Sequence, residues 1–128
     1  MTTEQVTVGN AFAAGAPYRS WLVGHFVAGP LHSTEVEVKW ARHAAGEERA
    51  VWSTDTATTL CILVRGRFRL LFPDREALLT DEGDFAHWPP GIAHRWRAEA
   101  ASVVVTVRWP SRPPLAGASA SPPPDPPA

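Results

Sequence analysis

Alternation of apolar and polar side chains dominates the middle of the chain. Val36, Val38 and Trp40 alternate with Glu35, Glu37 and Lys39. Phe68, Leu70 and Phe72 alternate with Arg67 and Arg69. Val103, Val105, Val107 and Trp109 make a third set of period two, with Thr106 and Arg108 between them. Successive side chains of a strand point to opposite faces, so each run predicts a strand whose apolar members face inward. Leu60–Val64 is continuously apolar and suits a strand covered on both faces. Gly29-Pro30, Ala45-Gly46, Arg65-Gly66, Pro73-Asp74, Glu82-Gly83 and Pro89-Pro90-Gly91 separate the runs as turns. No window holds a helical period with caps. Short strands at close spacing predict an all-β sandwich or barrel.

Both ends break the pattern. Residues 1–17 are small and weakly patterned, which predicts a flexible N-terminal segment. Residues 110–128 hold eight of the 13 prolines and one large aliphatic residue, Leu115. Such a stretch buries too little apolar area to offset its ordering entropy, so it is read as a disordered Pro/Ala-rich tail. An extended proline-rich docking peptide is the other reading of the tail. The folded domain is then 18–109.

The totals narrow the field. One domain fits 128 residues, and 45% apolar composition is that of a globular chain. A formal net charge of −1 leaves no single-sign field, which argues against nucleic-acid or membrane-surface binding. The lone Cys61, inside an apolar run, reads as a buried hydrophobe and allows no intramolecular disulfide framework. With no signal peptide and no apolar span of the ~20 residues a bilayer needs, a cytoplasmic address is expected.

The segment Gly83–His94 carries the most specific spacing. Gly83 is followed by five residues, Pro89, one residue, Gly91, two residues and His94. This resembles the second motif of the cupin family up to its histidine; the asparagine that normally follows is Ala98 here. Upstream, Gly46 and Gly66 stand at the distance that frames the first cupin motif. Its two histidines and glutamate are replaced by Trp52, Thr54 and Thr59. The resemblance implies a double-stranded β-helix, the cupin jelly-roll barrel, and a homodimer paired through sheet edges.

A hairpin closed around Pro90-Gly91 would set His87 opposite His94 and Phe85 opposite Trp96, each pair about 4.5–5.5 Å apart at Cβ. The cupin histidine in the place of His94 points into the barrel, so this set is expected inside. The expected pocket is Trp52, Thr54, Thr59, Phe85, His87, His94 and Trp96. A filled barrel core is the competing reading of the aromatics. One register slip would send His87 outward.

With one of four family metal positions retained, no metal is favoured, since threonine is a poor ligand for a divalent transition metal and tryptophan is none. Two alternatives keep a metal: His87 and Asp55 joining His94, or His43 reaching the barrel mouth. The functional expectation is a binder of a small hydrophobic or aromatic molecule, serving natural-product or small-molecule metabolism. An isomerase, cyclase or dioxygenase using His94 with His87 as acid and base, or as residual ligands, is the alternative. A partner-binding scaffold hooked by the tail is a third.

Overall fold

Nine strands follow one another in residues 6–113, the part of the chain described by a computed structural model. They are β1 (Trp21–Val23), β2 (Glu37–His43), β3 (Glu48–Ser53), β4 (Thr58–Arg65), β5 (Phe68–Phe72), β6 (Arg75–Leu79), β7 (Phe85–Trp88), β8 (His94–Ala98) and β9 (Ser102–Trp109). All their pairings are antiparallel. They form a five-stranded sheet, β1-β2-β9-β4-β7, and a four-stranded sheet, β3-β8-β5-β6. The chain crosses between sheets at nearly every turn, which is the jelly-roll arrangement. The all-β class is the one predicted, and β2, β4, β5 and β9 fall on the alternating and apolar runs.

The four-stranded sheet keeps the expected polarity. Phe68, Leu70 and Ala98 are buried inward, while Arg69, Arg95, Arg97 and Glu48 lie on the other face. Together with Cys61, Leu63, Leu79, Trp88 and Val104 these inward residues make the core. Gly66, between β4 and β5, has φ +113°, and an added Cβ there would lie 2.6 Å from Ser102 Cα. Only glycine fits that turn.

The five-stranded sheet reverses the expected polarity. On β2 the inward side chains are Glu37, Lys39, Ala41 and His43; Glu37, Ala41 and His43 are buried. On β9 they are Ser102, Val104, Thr106 and Arg108. Val38, Trp40, Val105, Val107 and Trp109 take the outer face, with Trp109 39% exposed. Alternation identifies which residues share a face and leaves open which face is inside.

The hairpin expected around Pro90-Gly91 does not form. β7 pairs with β4 in one sheet, whereas β8 pairs with β3 and β5 in the other. Pro89-Pro90-Gly91 therefore carries the chain from sheet to sheet.

The domain ends are also better anchored than the composition predicts. A short helix α1 (Ala11–Gly15) is capped by Asn10, whose side chain accepts from the Ala13 amide at 2.9 Å. The Phe12 ring lies 3.7 Å from the Arg42 guanidinium. Beyond Trp109, Ser111 is fully buried and its hydroxyl donates to Glu37 at 2.7 Å. Residues 1–5 and the tail from 114 onward lie outside the described residues.

Candidate functional site

Between the sheets lies a cavity of about 80 Å³. A buried water needs ~10–15 Å³ on this measure, so the space suits several waters or a small organic molecule. Its apolar walls are Phe68, Leu70, Trp88, Trp96 and Val104. Its polar lining comes from both sheets: Lys39, His43, Thr59, Thr106 and Arg108 from the five-stranded one, Arg49, Ser53 and His94 from the other. The reversed polarity of the five-stranded sheet is what turns Lys39, His43 and Arg108 inward; Arg49 enters from β3 of the other sheet.

His94 begins β8, directly after the turn that changes sheets. Its Nδ1 sits 2.9 Å from the Ile92 carbonyl oxygen. A carbonyl only accepts, so Nδ1 carries the hydrogen and Nε2 keeps its lone pair. Burial is the main cause that holds the His94 pKa below its usual 6.5. The neutral ring is thus an acceptor at Nε2, beside the Trp88 ring with centroids 4.9 Å apart. His43, at the end of β2, is flanked by Trp96 at 4.3 Å and Phe68 at 5.5 Å, and its Nδ1 lies 3.2 Å from the Glu47 carboxylate.

Arg108 is tied down at one side of the cavity. Its Nη2 is 2.6 Å from Glu37 and its Nη1 3.2 Å from Asp55. Asp55 also accepts from the Ala57 amide at 3.1 Å, which fixes the loop before β4. The guanidinium lies 4.6 Å from the Trp21 ring, and Lys39 lies 5.2 Å from the same ring. Trp21 Nε1, Thr59 Oγ1 and Trp88 Nε1, buried polar atoms on lining residues, have no hydrogen-bond partner among the described residues. Cys61 lines the floor as a buried thiol, its pKa pushed up to about 12 by burial, which suppresses the reactive thiolate.

Of the expected pocket residues, Thr59, His94 and Trp96 are brought together in the cavity lining. Four expectations are corrected. Trp52 is 44% exposed on the outer side of β3, with Arg95 4.7 Å from its ring. Thr54 is exposed in the loop after β3 and does not line the cavity. Phe85, 65% exposed, lies on the outer face of β7 opposite Ile62. His87 lies on that same outer face opposite Leu60, stacked near Trp109. Trp88, one residue on, takes the inward place; the pairing of β7 with β4 sets this phase. Lys39, Arg49, Trp88 and Arg108 are lining residues that the apolar alternation could not reveal. Trp21 lies on edge strand β1 with its ring inside.

Of the two metal-retaining alternatives, His43 does reach the cavity, with its Nδ1 3.2 Å from the Glu47 carboxylate, while His87 and Asp55 do not join His94. His87 is on the far side of the sheet from His94, and the Asp55 carboxylate is engaged by Arg108. Among the described residues no group of three or more His, Cys, Asp or Glu side chains could hold a metal ion. The donors present do not fit a divalent transition metal, which needs its imidazole and carboxylate ligands convergent.

No family model matches the chain, and no curated protein matches it. Solved structures do. An RmlC-like cupin from Shewanella frigidimarina NCIMB 400 is 19% identical over 62% of this chain and 69% of its own, with a TM-score of 0.56. KdgF from a Halomonas species is 18% identical over 63% of this chain and 75% of its own, at 0.57. A cupin 2 conserved barrel domain protein from Salinispora arenicola CNS-205 is 20% identical over 66% of this chain and 71% of its own, at 0.55. Two antiparallel sheets in jelly-roll order, the Gly83–His94 spacing and this shared architecture lead to one conclusion: the chain has the cupin fold.

Proposed function

We propose that the protein is a small-molecule-binding cupin whose cavity between the sheets is the binding site, and that it works without a bound transition metal. The observation that carries this reading is the cavity itself, which joins aromatic walls to convergent polar groups. Such a combination is the general character of a small-molecule site. Small-molecule or natural-product metabolism in the cytoplasm is the setting we infer. The lone buried Cys61 suits a reducing compartment, and among the described residues no helix is long and apolar enough to cross a membrane.

The direct test is elemental analysis of protein purified without a histidine tag after growth with iron, zinc, manganese and nickel. The expected result is less than roughly a tenth of an equivalent of metal. Near-stoichiometric metal that disappears in His94→Ala would overturn the metal-free reading.

A second reading, an acid–base enzyme, is favoured by one observation. His94 presents an unprotonated Nε2 in the cavity, as a general base requires. His87 has no part in it, being outside. Turnover of a bound compound that is abolished by His94→Ala, with binding retained, would establish this reading.

The homodimer is also retained as a proposal, moved from sheet edges to a sheet face. Val38, Val107, Leu60 and His87 form one outer row across four strands, and Trp40, Val105, Ile62 and Phe85 another. Neither row holds a carboxylate, a lysine or an arginine. A contiguous apolar face of this kind marks an interaction surface, and a twofold pairing of like with like covers it.

A further inference from the structure

We infer, on the reading of the cavity as a small-molecule site, that its ligand is a neutral phenol of one ring, whose hydroxyl lies between His94 Nε2 and the Ser53 hydroxyl and whose ring lies between Trp88 and Trp96.

The hydroxyl follows from a pair of side chains. Ser53 and His94 are direct partners in the ladder between β3 and β8, and both line the cavity. Opposed residues share a face with Cβ atoms about 4.5–5.5 Å apart, so the two polar ends flank one spot. The Ile92 carbonyl oxygen takes the Nδ1 hydrogen of His94 at 2.9 Å, which leaves Nε2 able only to accept. Burial opposes protonation of the ring, so Nε2 stays an acceptor at neutral pH. The Ser53 hydroxyl is able to donate. A group set against both must donate on one side and accept on the other, and a hydroxyl does so with one atom. A ligand without a donor, an ether or a hydrocarbon, would take Nε2 away from water and leave it unpaired.

Charge favours a neutral compound. Arg108 gives its Nη2 to Glu37 at 2.6 Å and its Nη1 to Asp55 at 3.2 Å. His43 has its Nδ1 3.2 Å from the Glu47 carboxylate. Lys39 and Arg49 are engaged as well, and Lys39 also lies over the Trp21 ring at 5.2 Å. These charges are answered within the protein, so a charged ligand would lose its water without meeting a spare counter-charge. With a pKa of about 10, a phenol enters uncharged at neutral pH.

The walls and the volume set the body. Trp88 comes from β7 of one sheet, and Phe68 and Trp96 from β5 and β8 of the other. Phe68 and Trp96 are stacked with centroids 5.4 Å apart, and Trp88 lies 4.9 Å from the His94 ring. A flat ring between the sheets therefore has an aromatic wall on each side. About 80 Å³ of space, against ~10–15 Å³ for one water, holds roughly five to eight water-sized groups. One aromatic ring with its oxygen is of that size.

The test uses the full chain and four probes: phenol, toluene, anisole and benzoate. Affinity is measured by titration, and contact by NMR of the His94 ring nitrogens in protein labelled at histidine. The expected result is that phenol binds at least tenfold tighter than toluene or anisole and moves the His94 Nε2 signal as an accepted hydrogen bond does. His94→Leu should then weaken phenol tenfold or more and Ser53→Ala threefold or more, with toluene unchanged in both. The probe comparison on the unmodified chain stands even if a variant fails to fold. Toluene or anisole binding as well as phenol overturns the hydroxyl and leaves the cavity reading intact. Benzoate binding more tightly than phenol overturns the neutral ligand, again with the cavity reading intact. Phenol that binds without moving the His94 nitrogens overturns the proposal too. If no probe moves a His94 or Trp96 signal, both readings fall.

Discussion

The two sheets of the barrel use opposite polarities. The four-stranded sheet turns Phe68, Leu70 and Ala98 inward and, Arg49 excepted, sends its charges out, where Arg69 pairs with Glu76 and Glu99 at 2.6 Å each. The five-stranded sheet turns Glu37, Lys39, His43 and Arg108 inward and sends Val105, Val107, Ile62 and Trp109 out. One sheet is built for water outside and core inside. The other lines a polar cavity on one side and presents apolar side chains on the other. Charges buried in this way need partners, and the Glu37–Arg108–Asp55 chain supplies them. The difference teaches that burial and hydrophobicity part company where a fold makes a site.

Substitutions at matched positions sharpen the contrast. Glu37→Ala is expected to have the largest effect, a loss of about 3–5 kcal/mol in urea unfolding, because it leaves Arg108 buried beside one carboxylate fewer and frees Ser111. Glu76→Ala, which breaks an exposed pair of the other sheet, should leave the urea midpoint unchanged. Leu70→Ala, on the inward face of that sheet, should cost about 2–5 kcal/mol by the same measurement.

A charge on the apolar outer face tests what covers it. Val105→Glu is expected to halve the mass measured by light scattering, with the fold retained. A wild-type chain already monomeric at high concentration would remove the paired-face proposal.

Thr59→Val should stabilise the free protein by about 1 kcal/mol, since it removes a buried hydroxyl that has no partner among the described residues. Loss of stability in its urea curve would mean that the hydroxyl is already satisfied without ligand.

The smallest effect is a pH dependence. The His94 pKa is lower in the folded chain than its usual 6.5, so the unfolded chain takes up the proton first as pH falls. The contribution of His94 is therefore complete above about pH 6.5 and declines below it. His94→Gln should flatten the fall in Tm between about pH 6.5 and 5 relative to wild type. Identical profiles would show that the ring protonates equally easily in both states.

Much of the fold was legible in the residues. Alternation in 36–40, 67–72 and 103–109 located strands, and glycines and prolines located the turns. The spacing from Gly83 to His94 identified the jelly roll and put His94 in the cavity. Less of the site could be read. Trp52 stands where the first cupin motif has a histidine, and a hairpin around Pro90-Gly91 would carry Phe85 and His87 inside, yet all three lie outside. His25 is half-buried against Ser111 at 2.9 Å, a contact across 86 residues that no local pattern announces.

The sequence by itself determined the period of each strand, the places where the chain turns, and the glycine-framed segment that leads to His94. Only the tertiary structure decided which phase of β2, β7 and β9 faces the cavity. The reason is that period two is symmetric: it divides a strand into two sets of side chains without ranking them. The ranking comes from strands distant in sequence. Once β9 lies between β2 and β4, Glu37, Arg108, Thr59 and Trp88 fall in one inward row, and His87 is left outside.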